Sequence, residues 1–166
     1  MIDASGILGS AAQVAITLVG FAGVVVVFST DAVHAWSPVD RFRLRLMLRG
    51  SGMAVVLALA GQCLLATELD AAIVWRSASV LAAALALPGM LAGIAAFRRF
   101  APEELARAGA SRAVFYTSTT MGLLTVLLQL FNAAVLASFW PFLYAVLASI
   151  LVALLQFVRL IVVPRD

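Results

Sequence analysis

The chain has no lysine, one histidine, one cysteine and few charges of any kind, with Asp, Glu, Lys and Arg making up 11% of its 166 residues. About a quarter is usual for a soluble globular chain. The rest is 64% apolar, and the mean hydropathy is +1.12. So little polar surface cannot keep a chain of this length in water on its own. The lone cysteine, Cys63, excludes an intrachain disulfide and any CxxC redox or zinc motif. Set in an apolar run, it is expected to be a small buried hydrophobe. One histidine and one cysteine cannot build a metal site, and the chain contains no phosphate loop, HExxH or GxSxG. No cofactor is expected. No acid, lysine or histidine falls in the middle of an apolar run, which argues against proton-coupled transport. His34 and Asp31 could form a general base in a loop. A solvated loop histidine is the simpler reading, and the chain is expected not to be an enzyme.

What remains is apolar runs separated by arginines. A membrane-crossing helix needs about 20 mostly apolar residues, and such stretches lie at about 7–28, 52–67, 73–97, 113–137 and 142–163. Residues 112–164 as one helix would measure roughly 80 Å, far beyond a bilayer core of about 30 Å. A turn must therefore interrupt them. Pro141 fits the first position of the following helix, where a missing N–H is harmless, and Ser138 to Trp140 are expected to form a tight hairpin. The fold expected is an all-α integral membrane protein, a single domain over 1–166 built as a bundle of five transmembrane helices.

All eleven basic residues are arginine. With five spans, Arg41, Arg43, Arg45, Arg49, Arg98, Arg99, Arg107, Arg112, Arg159 and Arg165 fall on one side, and Arg76 alone falls on the other. The positive-inside rule then places the N-terminus outside and the C-terminus inside, in the cytoplasmic (inner) membrane of a bacterium. The basic face meets the lipid bilayer, and a nucleic-acid partner is not expected. A cleaved leader over residues 1–35 is the competing reading, but those residues lack the positive start that such a leader carries.

Ser37, Pro38 and Asp40 read as a helix start, so the second helix is expected to extend on the cytoplasmic side. Its Arg41, Arg45 and Arg49 then stack at four-residue spacing, with Phe42, Leu46 and Met47 towards lipid. Pro102, Glu103 and Glu104 start a short cytoplasmic helix before the fourth span. Pro88 is expected to kink the third. Arg159, near the end of the fifth, can snorkel to the inside surface.

Each span carries a face of small or polar residues at helical spacing. The first has Gly9, Gln13, Thr17 and Gly20, and the third ends in Gly89 and Gly93, a GxxxG pair. The fourth has Ser118, Gly122, Thr125, Gln129 and Asn132. The fifth has Ala145, Ser149, Ala153 and Gln156. Such faces let helices approach, and their polar groups hydrogen-bond across the contact. They are not expected to face lipid. Gln13, Thr17, Ser118, Thr125, Gln129, Asn132 and Gln156 are thus candidates either for helix packing or for the lining of a pore suited to a small ion or solute. The function expected is that of a non-catalytic membrane protein that self-associates, with an accessory subunit of a larger membrane complex as the alternative.

Overall fold

Short acceptor side chains set where the long helices begin. The computed structural model describes residues 3–28, 33–107 and 112–162, without the side chains of His34, Arg107 and Arg112 to Val114. The proposed pairing of His34 with Asp31 lies outside what is described. Asp3 accepts from the Gly6 N–H at 2.9 Å and opens α1, Ala4–Val27. Ser37 accepts from the Asp40 N–H at 3.1 Å and opens α2, Pro38–Leu65. Asp70 caps α3, Ala71–Phe97, through the Ala72 N–H. In each case a side-chain oxygen satisfies a backbone donor that the first helical turn leaves without a partner. A short helix, α4 (Pro102–Arg107), precedes α5 (Arg112–Phe131), which continues through a π turn at Asn132–Leu136. The last helix, α6, spans Phe139–Val162.

Helix accounts for 90% of the structure, with no strand among the described residues. Among the described residues, five helices are long and apolar enough to cross a membrane: α1, α2, α3, the α5 segment Phe115–Leu136, and α6. This is the architecture of a multi-pass membrane protein.

The second helix starts at Pro38, as its cap residues predict, and Arg49 falls near the middle of that helix. Several local expectations change. The break before the last helix is at Ala137, which takes a left-handed conformation (φ 49°, ψ 45°) and donates its N–H to the Asn132 carbonyl. Phe139 and Trp140 are already helical, which makes Pro141 the third residue of α6. Its missing N–H is harmless there too, because the first turn has no carbonyl to receive it. Cys63 is exposed, and Met47 is fully buried instead of turned to lipid.

Helices α2 and α6 form the centre; α1 packs on both, and α3 pairs with α5 on the opposite side. The half of the bundle away from the arginines is filled by alanines together with Leu8, Leu57, Trp75 and Phe142. Small side chains allow this close approach. A second, smaller cluster joins α1, α2 and α6 through Leu18, Trp36, Met47 and Leu160. In the arginine-rich half, the space between the α2–α6 pair and the α3–α5 pair is left open.

Candidate functional site

That open space is a cavity of about 200 Å³, room for roughly six waters at about 30 Å³ each. Four helices line it, and α1 contributes nothing. From α2 come Phe42, Arg43, Leu46, Arg49 and Met53; from α3, Gly89, Met90, Ile94 and Phe97. Helix α5 adds Phe115, Ser118, Met121, Gly122 and Thr125, and α6 adds Ser149, Val152, Gln156 and Arg159. Along α6 the lining runs from Ala148 to Arg159, about 16 Å at 1.5 Å per residue, or roughly half of a 30 Å hydrocarbon core.

The walls are mostly apolar. Phe97 stacks on Phe115 with ring centroids 3.5 Å apart, and Phe42 meets Phe97 and Phe100 at tilted or edge angles. These rings tie α2, α3 and α5 together near the arginine-rich end. Arg43, Arg49 and Arg159 supply the charge, and no carboxylate lines the cavity among the described residues. Arg43 is engaged, with its Nη1 2.8 Å from the Asp40 carboxylate one turn earlier.

Arg49 lies deeper. Its neighbour Gly50 lies against the Ser149 carbonyl and Ala153 of α6, near the middle of that helix. Its Nη1 donates to the Gly89 carbonyl at 2.8 Å, eight residues and so about 12 Å from the end of α3 at Phe97. A Cβ at Gly89 would overlap the Arg49 guanidinium. Gly89 is therefore the place where a cation lies against α3, whereas nothing lies within 4 Å of a Cβ built on Gly93. The expected GxxxG helix crossing is not formed. An arginine at such depth is costly without a partner, and intramembrane ionisable groups mark functional positions by default.

The sequence-derived candidates separate into three places. Ser118, Thr125 and Gln156 line the cavity. Thr125 turns its hydroxyl to the Met121 carbonyl of its own helix at 2.8 Å. Gln156 is 6% exposed, and its side chain makes no hydrogen bond to a described residue. Gln129 and Asn132 lie beyond the cavity floor, both fully buried. Gln129 donates to the Pro141 carbonyl at 2.6 Å; Asn132 donates to Ser79 Oγ at 2.7 Å and to the Ser138 carbonyl at 3.0 Å, and accepts the Ser138 N–H at 3.0 Å. Gln129 ties α5 to the start of α6, and Asn132 fastens the turn to α3 through Ser79, so the α5 stripe beyond Thr125 is buried in these contacts. Gln13 and Thr17 are on neither surface. They face outward, because the buried side of α1 is Leu8, Ala11, Ala12, Ala15, Leu18 and Ala22. The expectation that this polar face turns away from lipid does not hold within one chain, since the alanines pack closer to α2 than Gln13 could.

Of the basic residues described, Arg45, Arg49, Arg98 and Arg99 are exposed and Arg41 is half-buried, which leaves Arg45, Arg98 and Arg99 free to meet headgroups. Residue type and spacing did not single out Arg49. At four residues from Arg45 it reads as one more interfacial arginine, and only the facing Gly89 shows that its guanidinium lies against α3, although the residue as a whole stays exposed. No family model matches the chain, and no curated protein or solved structure matches it either.

Proposed function

We propose that the chain is a non-catalytic multi-pass membrane protein that binds an amphipathic molecule in the cavity of its arginine-rich half. The observation that carries this reading is the cavity itself, with apolar walls, three guanidinium groups and a depth of about half the bundle. A conducting pore would need the α5 stripe to stay open past Thr125. Gln129 and Asn132 are instead fully buried there, with their amide N–H groups donated to Pro141 and Ser79, which favours binding over conduction. The arginine asymmetry supports the arginine-rich half as the cytoplasmic one, with the N-terminus outside, in a bacterial inner membrane.

Gly122 offers a direct test. A Cβ built there meets only Met90, with Sδ at 3.6 Å, so a phenylalanine side chain would grow into the cavity without moving backbone. Native mass spectrometry of the protein released from lipid nanodiscs is expected to show a bound amphiphile on the wild type and none on Gly122→Phe, with helical circular dichroism unchanged. A wild type free of bound amphiphile whose proteoliposomes pass small anions would overturn the reading in favour of a pore.

Self-association is a second reading, favoured by one observation. Gln13 lies near the middle of α1 and is exposed, and an amide without a partner in hydrocarbon costs about 1–3 kcal/mol or more. An amide both donates and accepts, so Gln13 of a second copy is a suitable mate. Gly20 and Gly23, with nothing within 4 Å of an added Cβ, leave room for a close helix. In nanodiscs the wild type is then expected to be a homo-oligomer and Gln13→Leu a monomer. A monomeric wild type, or one bound to a different chain, would count against it, the latter favouring the accessory-subunit alternative.

A further inference from the structure

We infer that the group recognised in the cavity is a phosphate-class anion on the amphiphile's headgroup, held between Arg49 and Arg159 with Gln156 as a neutral donor. The inference rests on the amphiphile reading above and adds the chemistry of the ligand. Three independent features lead to it. First, the lining holds three guanidinium groups and no carboxylate among the described residues. Asp40 offsets Arg43, which leaves Arg49 and Arg159 without an acid among the described residues. Arg49 makes do with a single carbonyl, that of Gly89, although its planar fork is suited to two parallel bonds with an oxyanion.

Second, Gln156 is more than nine-tenths buried, lines the cavity and has no hydrogen-bond partner among the described residues. Its amide is not among the enclosed unpaired atoms, so it opens onto the cavity, where a ligand can supply the donor and acceptor it lacks.

Third, the three groups line one cavity at neighbouring levels. Gly50 lies against Ser149 and Ala153, which puts Arg49 at about the level of Val152 on α6. Gln156 and Arg159 follow on the same side of α6, all within about 10 Å of helix rise. By level along the α6 axis, Gln156 therefore falls between Arg49 and Arg159. A phosphate oxygen can take the Gln156 amide N–H while the fork of Arg49 exchanges the Gly89 carbonyl for two oxygens of the anion. The apolar walls at Phe42, Leu46, Met90 and Ile94 suit a hydrocarbon portion on the same molecule. A soluble phosphate ester would leave those walls wet or empty.

The test uses the full chain in nanodiscs of phosphatidylcholine doped with acyl-matched phosphatidylglycerol, with retained lipid read by native mass spectrometry. The wild type is expected to keep one phosphatidylglycerol in preference to phosphatidylcholine. Arg49→Gln and Gln156→Leu are each expected to weaken that retention about tenfold, the scale of one charge-assisted contact. Arg76→Gln, at the exposed start of α3 on the opposite end of the bundle, is expected to leave it unchanged. A second measurement compares thermal unfolding of the detergent-solubilised wild type in inorganic phosphate and in chloride of equal ionic strength, so the result does not depend on every variant folding. Equal retention of the two lipids by the wild type overturns the anion assignment and leaves the amphiphile site standing. No retained lipid, with stabilisation by phosphate that Arg49→Gln removes, supports the anion site and overturns the amphiphile reading, making the source a soluble phosphate. Neither retention nor stabilisation overturns both.

Discussion

Asn132→Ala is expected to destabilise the folded chain by about 2–4 kcal/mol, measured by reversible unfolding in mixed detergent micelles. The side chain bonds Ser79 on α3 and both backbone groups of Ser138 in the turn. The interhelical bond contributes roughly 0.6–2 kcal/mol in a membrane setting. Losing the turn bonds adds a further cost of about 1–3 kcal/mol for polar groups left unmatched. Ala137 in its left-handed conformation already costs about 1 kcal/mol, so the turn depends on Asn132 to stay closed. Ser79→Ala removes only the interhelical bond and is expected to cost the smaller share, about 0.6–2 kcal/mol. A loss below about 0.5 kcal/mol for Asn132→Ala, the ordinary scatter of surface changes, would mean that Asn132 does not lock the turn.

Gly50→Val is expected to cost about 3 kcal/mol by the same measurement, at the upper end of ordinary overpacking. A Cβ on Gly50 would lie 2.8 Å from the Ser149 carbonyl oxygen and 3.2–3.3 Å from Ala153. Two of those three atoms are backbone, so a rotamer change cannot relieve the overlap. Helices α2 and α6 would have to separate along the most extensive helix contact in the bundle. Gly52→Val, on the same helix, is the matched control. Nothing lies within 4 Å of its Cβ, and a change within about 0.5 kcal/mol is expected. Equal losses at both positions would show that helix propensity, not the α2–α6 approach, governs the effect. The contrast also bears on the cavity, since the close approach at Gly50 holds Arg49 at its depth.

Much of the local structure is readable from single residues. Ser37, Pro38 and Asp40 mark the start of α2 because a cap is a contact over three residues, and such contacts are carried in the sequence itself. The break between α5 and α6 is readable to within about two residues, because a bilayer limits helix length and Asn132 to Pro141 holds the break signals. The π turn and the left-handed Ala137 are not readable. They accompany a contact of Asn132 with Ser79, a residue more than fifty positions earlier. Likewise Gly89 reads as half of a GxxxG packing pair, and its role as a seat for Arg49 appears only when α2 and α3 are side by side.

By itself, the sequence determined the class of the molecule and the number of its spans. Both follow from the free energy of placing each residue in hydrocarbon or in water, a sum that needs no knowledge of neighbours. Tertiary structure alone decided which polar residues share a space. Helical periodicity places Gln13, Gln129 and Gln156 on equivalent stripes of their own helices, yet one faces outward, one is spent on a turn and one lines a cavity. Which side of each helix meets which neighbour depends on how closely Gly50, Gly61 and the alanines of α1 and α6 let backbones approach. That is a property of pairs of helices, and no single stripe contains it.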